Sequence, residues 1–245
     1  MTPEECRQTA ATVGAGTRMQ FVTDNAPCST IPSLQLHLDA STLAEAYADG
    51  DAIDARGWKD SSGWQNHADN VHGLPVWRSA SQQRPALVEF DGNSRLWTST
   101  DFRAVASSYT VALVARYSGT VAQSRRVLAS QGSDWTVGFA GGSTSSFIAG
   151  QTLFQDLEAH DDALHVYIAT MTDAKAQIGT GRRASLWKDG QPLLTDHEGA
   201  TALGWGPGKL ELGGQSKVIN GLWTEGGGSA CKVSSIRGSL RRSQY

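Results

Sequence analysis

Leu34, Leu36 and Leu38 alternate with Gln35, His37 and Asp39, and this period of two marks a strand with one face buried. The same reading predicts strands over 86–90, 110–117, 126–130, 135–139, 164–171, 183–188, 210–212 and 231–236. In 110–117 one face carries Val111, Leu113, Ala115 and Tyr117, while Ala112 and Val114 make the other face partly apolar, which predicts a central strand. Lys188-Asp189-Gly190-Gln191 predicts a hairpin turn, because Asp-Gly tolerates positive φ.

Helical spacing is confined to two short stretches. Thr2, Pro3 and Glu5 form a capping box ahead of a face made by Cys6, Thr9, Ala10 and Val13, with Gly14 as the stop. Thr42 and Glu45 predict a second short turn, ended by Asp49-Gly50. Many short strands with little helix imply an all-β sandwich or barrel. Residues 1–30 read as a helical extension wrapped on one main domain, 31–245, with no internal repeat.

Charge excludes some partners. A net charge of −3 gives no basic field for nucleic acid or anionic membrane, and apolar runs such as Val111 to Ala115 are far too short to span a bilayer. Twenty-seven glycines exceed the usual share of about 7% and mark turns. Eight tryptophans outnumber the five tyrosines and the six phenylalanines. A Trp ring can stack on the C–H face of a sugar, although filling the core is its commoner use.

Cys6, Cys28 and Cys231 have no zinc-ligand spacing. Cys6 lies on the apolar helix face and Cys28 just before the first core strand, so an oxidising compartment favours a Cys6–Cys28 disulfide. Cys28–Cys231 is the rival pairing, and three reduced thiols are the third reading. The first five residues lack the basic and apolar regions of a signal peptide. A leader already removed and a chain never exported both fit this.

Four segments resemble the laminin-G-like, concanavalin-A-like family of lectin and glucanase jelly rolls. Leu34 to Ser41 resembles its opening "L-x-L-D-A-S" strand. Trp58-Lys59-Asp60-Ser61-Ser62-Gly63-Trp64-Gln65-Asn66-His67-Ala68 is similar to its "W-x-D-x-S-G-x-x-N-x-A" loop. Arg84-Pro85 with Val88 to Gly92 and Leu96 resembles its "R-P…F-D-G…L" segment. Ala184 to Gly190 with Leu210-Glu211-Leu212-Gly213-Gly214 resembles its "v-x-v-x-x-N-G…l-x-l-G-G" motif pair. The closing strand departs from the family pattern, with Cys231 to Arg237 where an "E-x-x-x-Y" type strand is usual. The resemblance implies an all-β, antiparallel jelly-roll sandwich of concanavalin-A type behind a short N-terminal helical extension.

The glucanases of this fold set carboxylates on one strand as Glu-x-Asp-x-x-Glu, since retaining hydrolysis needs two about 5 Å apart. Glu89 and Asp91 approach that pattern, but Asn93 and Ser94 stand where the acid belongs, so Asp91 is expected to hold the Asp91-Gly92 turn. Asp156 and Glu158 alternate without a third member. His67, His72 and Asp69, and His160, Asp161, Asp162 and His165, match no recognised metal spacing and read as solvated loops. Calcium is a candidate cofactor, because the resemblance brings loop-end calcium sites and Asp49, Asp51 and Asp54, or Asp161 with Asp162, offer oxygens. Exposed turns are the competing use of these residues.

The expected role is recognition without catalysis, with a glycan or protein partner held by loops of the sandwich. Trp64 is the candidate platform, because its Gly/Asn/His loop has no apolar pattern, and Gln65, Asn66 and His67 supply hydrogen-bonding groups. Trp77 and Trp223 are weaker candidates. An accessory subunit docking through residues 1–30 is the second reading, and a glycan-active enzyme the third. An extracellular or other oxidising location accompanies the first.

Overall fold

Burial of Leu34, Leu36 and Leu38 fixes the first strand, β1 (Leu34–Asp39). The computed structural model describes residues 34–102, 108–118, 126–140, 143–156, 163–173, 182–199, 206–213 and 230–241. The predicted N-terminal helix, the extension 1–30 and its docking role, and Cys6 with Cys28 lie outside them.

After β1 the chain makes one 3-10 turn, Ala40–Glu45, where the sequence predicted a capping box from Thr42 to Glu45. Asp39 caps it instead, accepting from the Ser41 N–H, while the Thr42 hydroxyl donates back to the Asp39 carbonyl. Eight strands form the first sheet, with β1 paired to β15 (Ala230–Arg241) beside the main path. That path runs β13 (Gln191–Gly199), β12 (Arg182–Lys188), β11 (His165–Asp173), β6 (Ser108–Ser118), β15, β4 (Leu87–Phe90) and β3 (Val76–Arg78). The second sheet has seven strands, in the order β10 (Thr152–Gln155), β9 (Ser143–Ala149), β8 (Trp135–Ala140), β7 (Arg126–Gln131), β14 (Lys209–Leu212), β5 (Arg95–Asp101) and β2 (Asn70–His72).

The pairs are antiparallel, and the chain crosses repeatedly between the sheets, as a jelly roll requires. β6 is central as predicted, held by β11 on one side and β15 on the other. Asp189 and Gly190 both have positive φ, 51° and 79°, and so make the predicted two-residue hairpin between β12 and β13. Among the described residues, no helix is long and apolar enough to cross a membrane.

The core lies between the sheets. Tyr117 of β6 meets Phe139 of β8 edge-on at 5.3 Å between centroids. The indole N–H of Trp135 donates to the Tyr109 hydroxyl at 2.8 Å, and the Tyr167 hydroxyl donates to the Thr144 carbonyl at 2.6 Å. Buried aromatics therefore keep their polar atoms paired across the layers. At Gly138 (φ 97°) a Cβ would sit 2.5 Å from Val127 and 3.1 Å from Leu113, so only glycine lets the layers close there.

β2, β3, β5, β9 and β10 carried no strand prediction, and β13 was implied only by the hairpin turn before it. β9 opens with Ser143-Thr144-Ser145-Ser146, a polar run that reads as a loop, yet all four are buried. Asp156 makes this tolerable by accepting from the Ser143 and Thr144 hydroxyls, each at 2.7 Å, and from the Thr144 N–H. In β5, Thr98 occupies a buried inward position, and its hydroxyl oxygen accepts from the Leu210 N–H of the neighbouring strand.

Candidate functional site

The loop that resembles "W-x-D-x-S-G-x-x-N-x-A" is built around Asp60. Its neck is an antiparallel bridge in which the Trp58 and Ala68 backbones each donate to the other at 3.0 Å. Trp58 is fully buried, and its indole N–H donates to the Asp39 carbonyl. The Asp60 carboxylate then accepts from the His37 N–H, the Ser62 N–H, the Ser62 hydroxyl and the Asn66 N–H, at 2.7 to 2.9 Å. A nearly buried carboxylate with four donors is well satisfied, and it fixes the loop backbone on both sides of the tip.

Asn66 fastens the loop across the end of the sandwich. Its amide donates to the Gln35 carbonyl of β1 in the first sheet, and its oxygen accepts from the Thr100 hydroxyl of β5 in the second. His67 points its Nδ1 at the Asp60 N–H, 3.0 Å away, so the neutral ring carries its proton on Nε2. The side chains of Asn66 and His67, expected to face a ligand, thus hold the loop together. Trp64 and Gln65 remain at the tip, following Gly63 (φ 91°). Trp64 is 62% exposed, and Gln65 is exposed with φ 58°.

Among the other tryptophans, Trp58, Trp77, Trp135 and Trp187 are buried and Trp97 is half-buried. Trp77, a weaker platform candidate from the sequence, donates its indole N–H to the Ala40 carbonyl from the core. Trp205 and Trp223 lie outside the described residues.

Of the aspartates considered for calcium, Asp49, Asp51 and Asp54 each serve a separate turn. Asp49 accepts from the N–H and hydroxyl of Ser79, which hold its carboxyl below the usual range. Asp51 accepts from the Ala48 N–H. Asp54 accepts from the Arg56 side chain and N–H and from the Tyr47 hydroxyl, and the Arg56 contact is the main reason its carboxyl is held well below the usual range. Among the described residues, no three His, Cys, Asp or Glu side chains gather in a way that could hold a metal. His165 instead pairs with Asp189 at 2.6 Å, while His160, Asp161 and Asp162 lie outside the described residues.

The glucanase-like carboxylates are occupied as well. Glu89 pairs with Arg78 at 2.9 Å. Asp91 accepts from the Asn93 and Ser94 N–H groups, the turn role expected for it, and these outweigh the opposing effect of partial burial to keep its carboxyl low. Two residues that the sequence reading gave no role stand out. Asp60 organises the loop, and Glu211, placed between Leu210 and Leu212 in β14, is fully buried. The signal for Asp60 was its place in the motif. Glu211 lies between two leucines of a short strand, a place where the sequence carries no signal for a buried carboxyl.

No family model and no curated protein matches the chain. Solved structures do. Botulinum neurotoxin type C, whose passage into cells depends on interaction with two ganglioside molecules, superposes with TM-score 0.55 at 12% identity, over 84% of this chain and 47% of that one. Domain 4 of AbnA, an extracellular GH43 arabinanase from Geobacillus stearothermophilus solved with arabinotriose, gives 0.54 at 11% identity, over 85% of this chain and 92% of that one. The binding domain of botulinum neurotoxin serotype D gives 0.52 at 11% identity, over 85% of this chain and 48% of that one. The chain spans about half the length of these neurotoxin structures. What it shares with all three is the fold, an antiparallel jelly-roll β-sandwich.

Proposed function

We propose that this protein is a non-catalytic carbohydrate-binding module of the laminin-G-like kind, with Trp64 as its sugar platform. One observation carries the reading: an indole 62% exposed at the tip of a loop whose base is tied to both sheets. Exposing so large a ring gains nothing for the fold, and a rigid base means that binding orders little new structure. The occurrence of the same fold in proteins described with gangliosides and with arabinotriose supports the choice of ligand class. Glu89 and Asp91, tied to an ion pair and a turn, support recognition over hydrolysis.

Gln65 supplies the adjacent polar contact, and His67 can offer Nε2–H from the side. A glycan array followed by titration tests the reading. Trp64→Ala is expected to lose ~1.5–3 kcal/mol of affinity, the value of one well-covered side chain, with the fold intact. An empty array, or unchanged affinity in the folded variant, would overturn it in favour of a protein partner. The reading also places the protein in an extracellular or other oxidising compartment with Cys6 joined to Cys28. Thiol trapping before isolation tests that, and an alkylated Cys6 would rule the bond out.

A further inference from the structure

Beside the loop, under the outer face of the second sheet, lies a buried carboxyl with one oxygen that the fold leaves unanswered. Leu210 and Leu212 of β14 point into the core, so Glu211 between them points to the opposite face. The strand registers place its neighbours there. Glu211 lies opposite Trp97 of β5 and Ala129 of β7, Trp97 lies opposite Asn70 of β2, and Arg95 lies opposite His72.

Glu211 is 0% exposed. One carboxyl oxygen, Oε2, accepts from the Gln131 amide at 2.9 Å. The other, Oε1, has no hydrogen-bond partner. A buried carboxyl oxygen without a donor is costly in any fold, and a leucine or threonine would fill the same strand position without that cost. Around it the face stays accessible: Arg95, Trp97, Gln131 and Asn70 are half-buried, and His72 and Lys209 are exposed. The Arg95 guanidinium lies 5.7 Å from the Trp97 ring centre, so an aromatic surface and a positive charge border the carboxyl.

We propose that this face, centred on Glu211 with Trp97 and Arg95 beside it, is a second binding site, and that it takes a neutral hydroxyl-bearing ligand, a sugar or a related polyol. Charge argues against a cation, since Arg95 and His72 already lend positive potential to the Glu211 carboxyl. Burial nevertheless raises its pKa, outweighing the Gln131 bond and those two charges. A hydroxyl suits both states of such a group, donating to the carboxylate and accepting from the acid. Trp97, with the Arg95 guanidinium beside its ring, supplies an apolar wall.

The choice of ligand class rests on the carbohydrate reading above, so the test separates the two sites. Arabino-, xylo-, cello- and galacto-oligosaccharides are titrated into the folded full chain, and the indole N–H signals of Trp64 and Trp97 are followed by NMR. Trp64→Phe and Trp97→Phe variants assign those signals. The expected result is a saturable shift of the Trp97 signal, with affinity about tenfold weaker in Glu211→Gln, which keeps the shape and an acceptor for Gln131. A shift confined to Trp64, or equal affinity in folded Glu211→Gln, overturns the second site and leaves the loop. A shift confined to Trp97 overturns the loop and keeps the second site. No shift with any sugar overturns both. If Glu211→Gln does not fold, the Trp97 signal of the wild-type chain decides alone.

Discussion

Gln65 holds a left-handed backbone conformation, φ 58°, in which a side chain with a Cβ is strained. Nothing in the core demands glutamine there, and Gly63 two residues earlier shows that the loop accepts glycine at positive φ. Gln65→Gly is therefore expected to raise stability by up to about 1 kcal/mol in urea titration while weakening sugar binding. Gain of stability with unchanged affinity would remove Gln65 from the site. Glu211 gives the opposite kind of prediction. Its pKa is raised on folding, so between its ordinary value and the raised one the folded state binds more protons than the unfolded state. Stability that Glu211 leaves intact at lower pH is then lost as pH rises through that window, and Glu211→Gln should lack this loss. Denaturation of the two proteins at several pH values checks it by difference, and parallel curves would count against the burial. The sequence could show that Gln65, Asn66 and His67 are polar. It could not show which of them turns inward, because the same amide or imidazole serves a ligand and a neighbouring N–H equally well.

At the scale of elements, legibility followed the number of apolar positions. β1, β6 and β12 announce themselves through repeated alternation, and the Asp189-Gly190 hairpin through the backbone angles it needs. β5 and β9 escaped because threonine and serine fill inward positions where a pattern reader expects leucine. Their hydroxyls are neutralised by partners distant in sequence, Leu210 for Thr98 and Asp156 for Ser143, and no local pattern encodes such pairing. The Trp58–Ala68 loop lies between these cases. Its motif residues Trp58, Asp60, Asn66 and Ala68 are the ones that hold it in shape, while Trp64 and Gln65 fill the unspecified places. Asp60→Asn tests this division. An amide cannot accept at both ends, so the Asn66 N–H or its equivalent faces a donor, at a cost of about 2 kcal/mol. The loop tip should also become the first site of limited proteolysis. An unchanged unfolding midpoint with an uncut loop would mean that Asp60 is dispensable.

For the whole molecule, the sandwich was readable because so many short strands with one apolar face can be buried only against another sheet. The order of strands was not readable, since it depends on crossings such as β5 to β6 and on the last strand returning to the first. That return has a mechanical consequence. β1 and β15 run antiparallel side by side, and the start of β1 at Leu34 sits opposite Ser239 near the end of β15. A load applied at these two points reaches the backbone hydrogen bonds of the pair one after another and peels them apart. It does not shear them all together. The protein is therefore expected to yield at low force when stretched between Leu34 and Ser239 in an optical trap. Attached instead at Leu34 and at the far end of β1, Asp39, it should carry the same load without the sandwich opening. A high, abrupt rupture between Leu34 and Ser239 would show that tension reaches the sheets by another route.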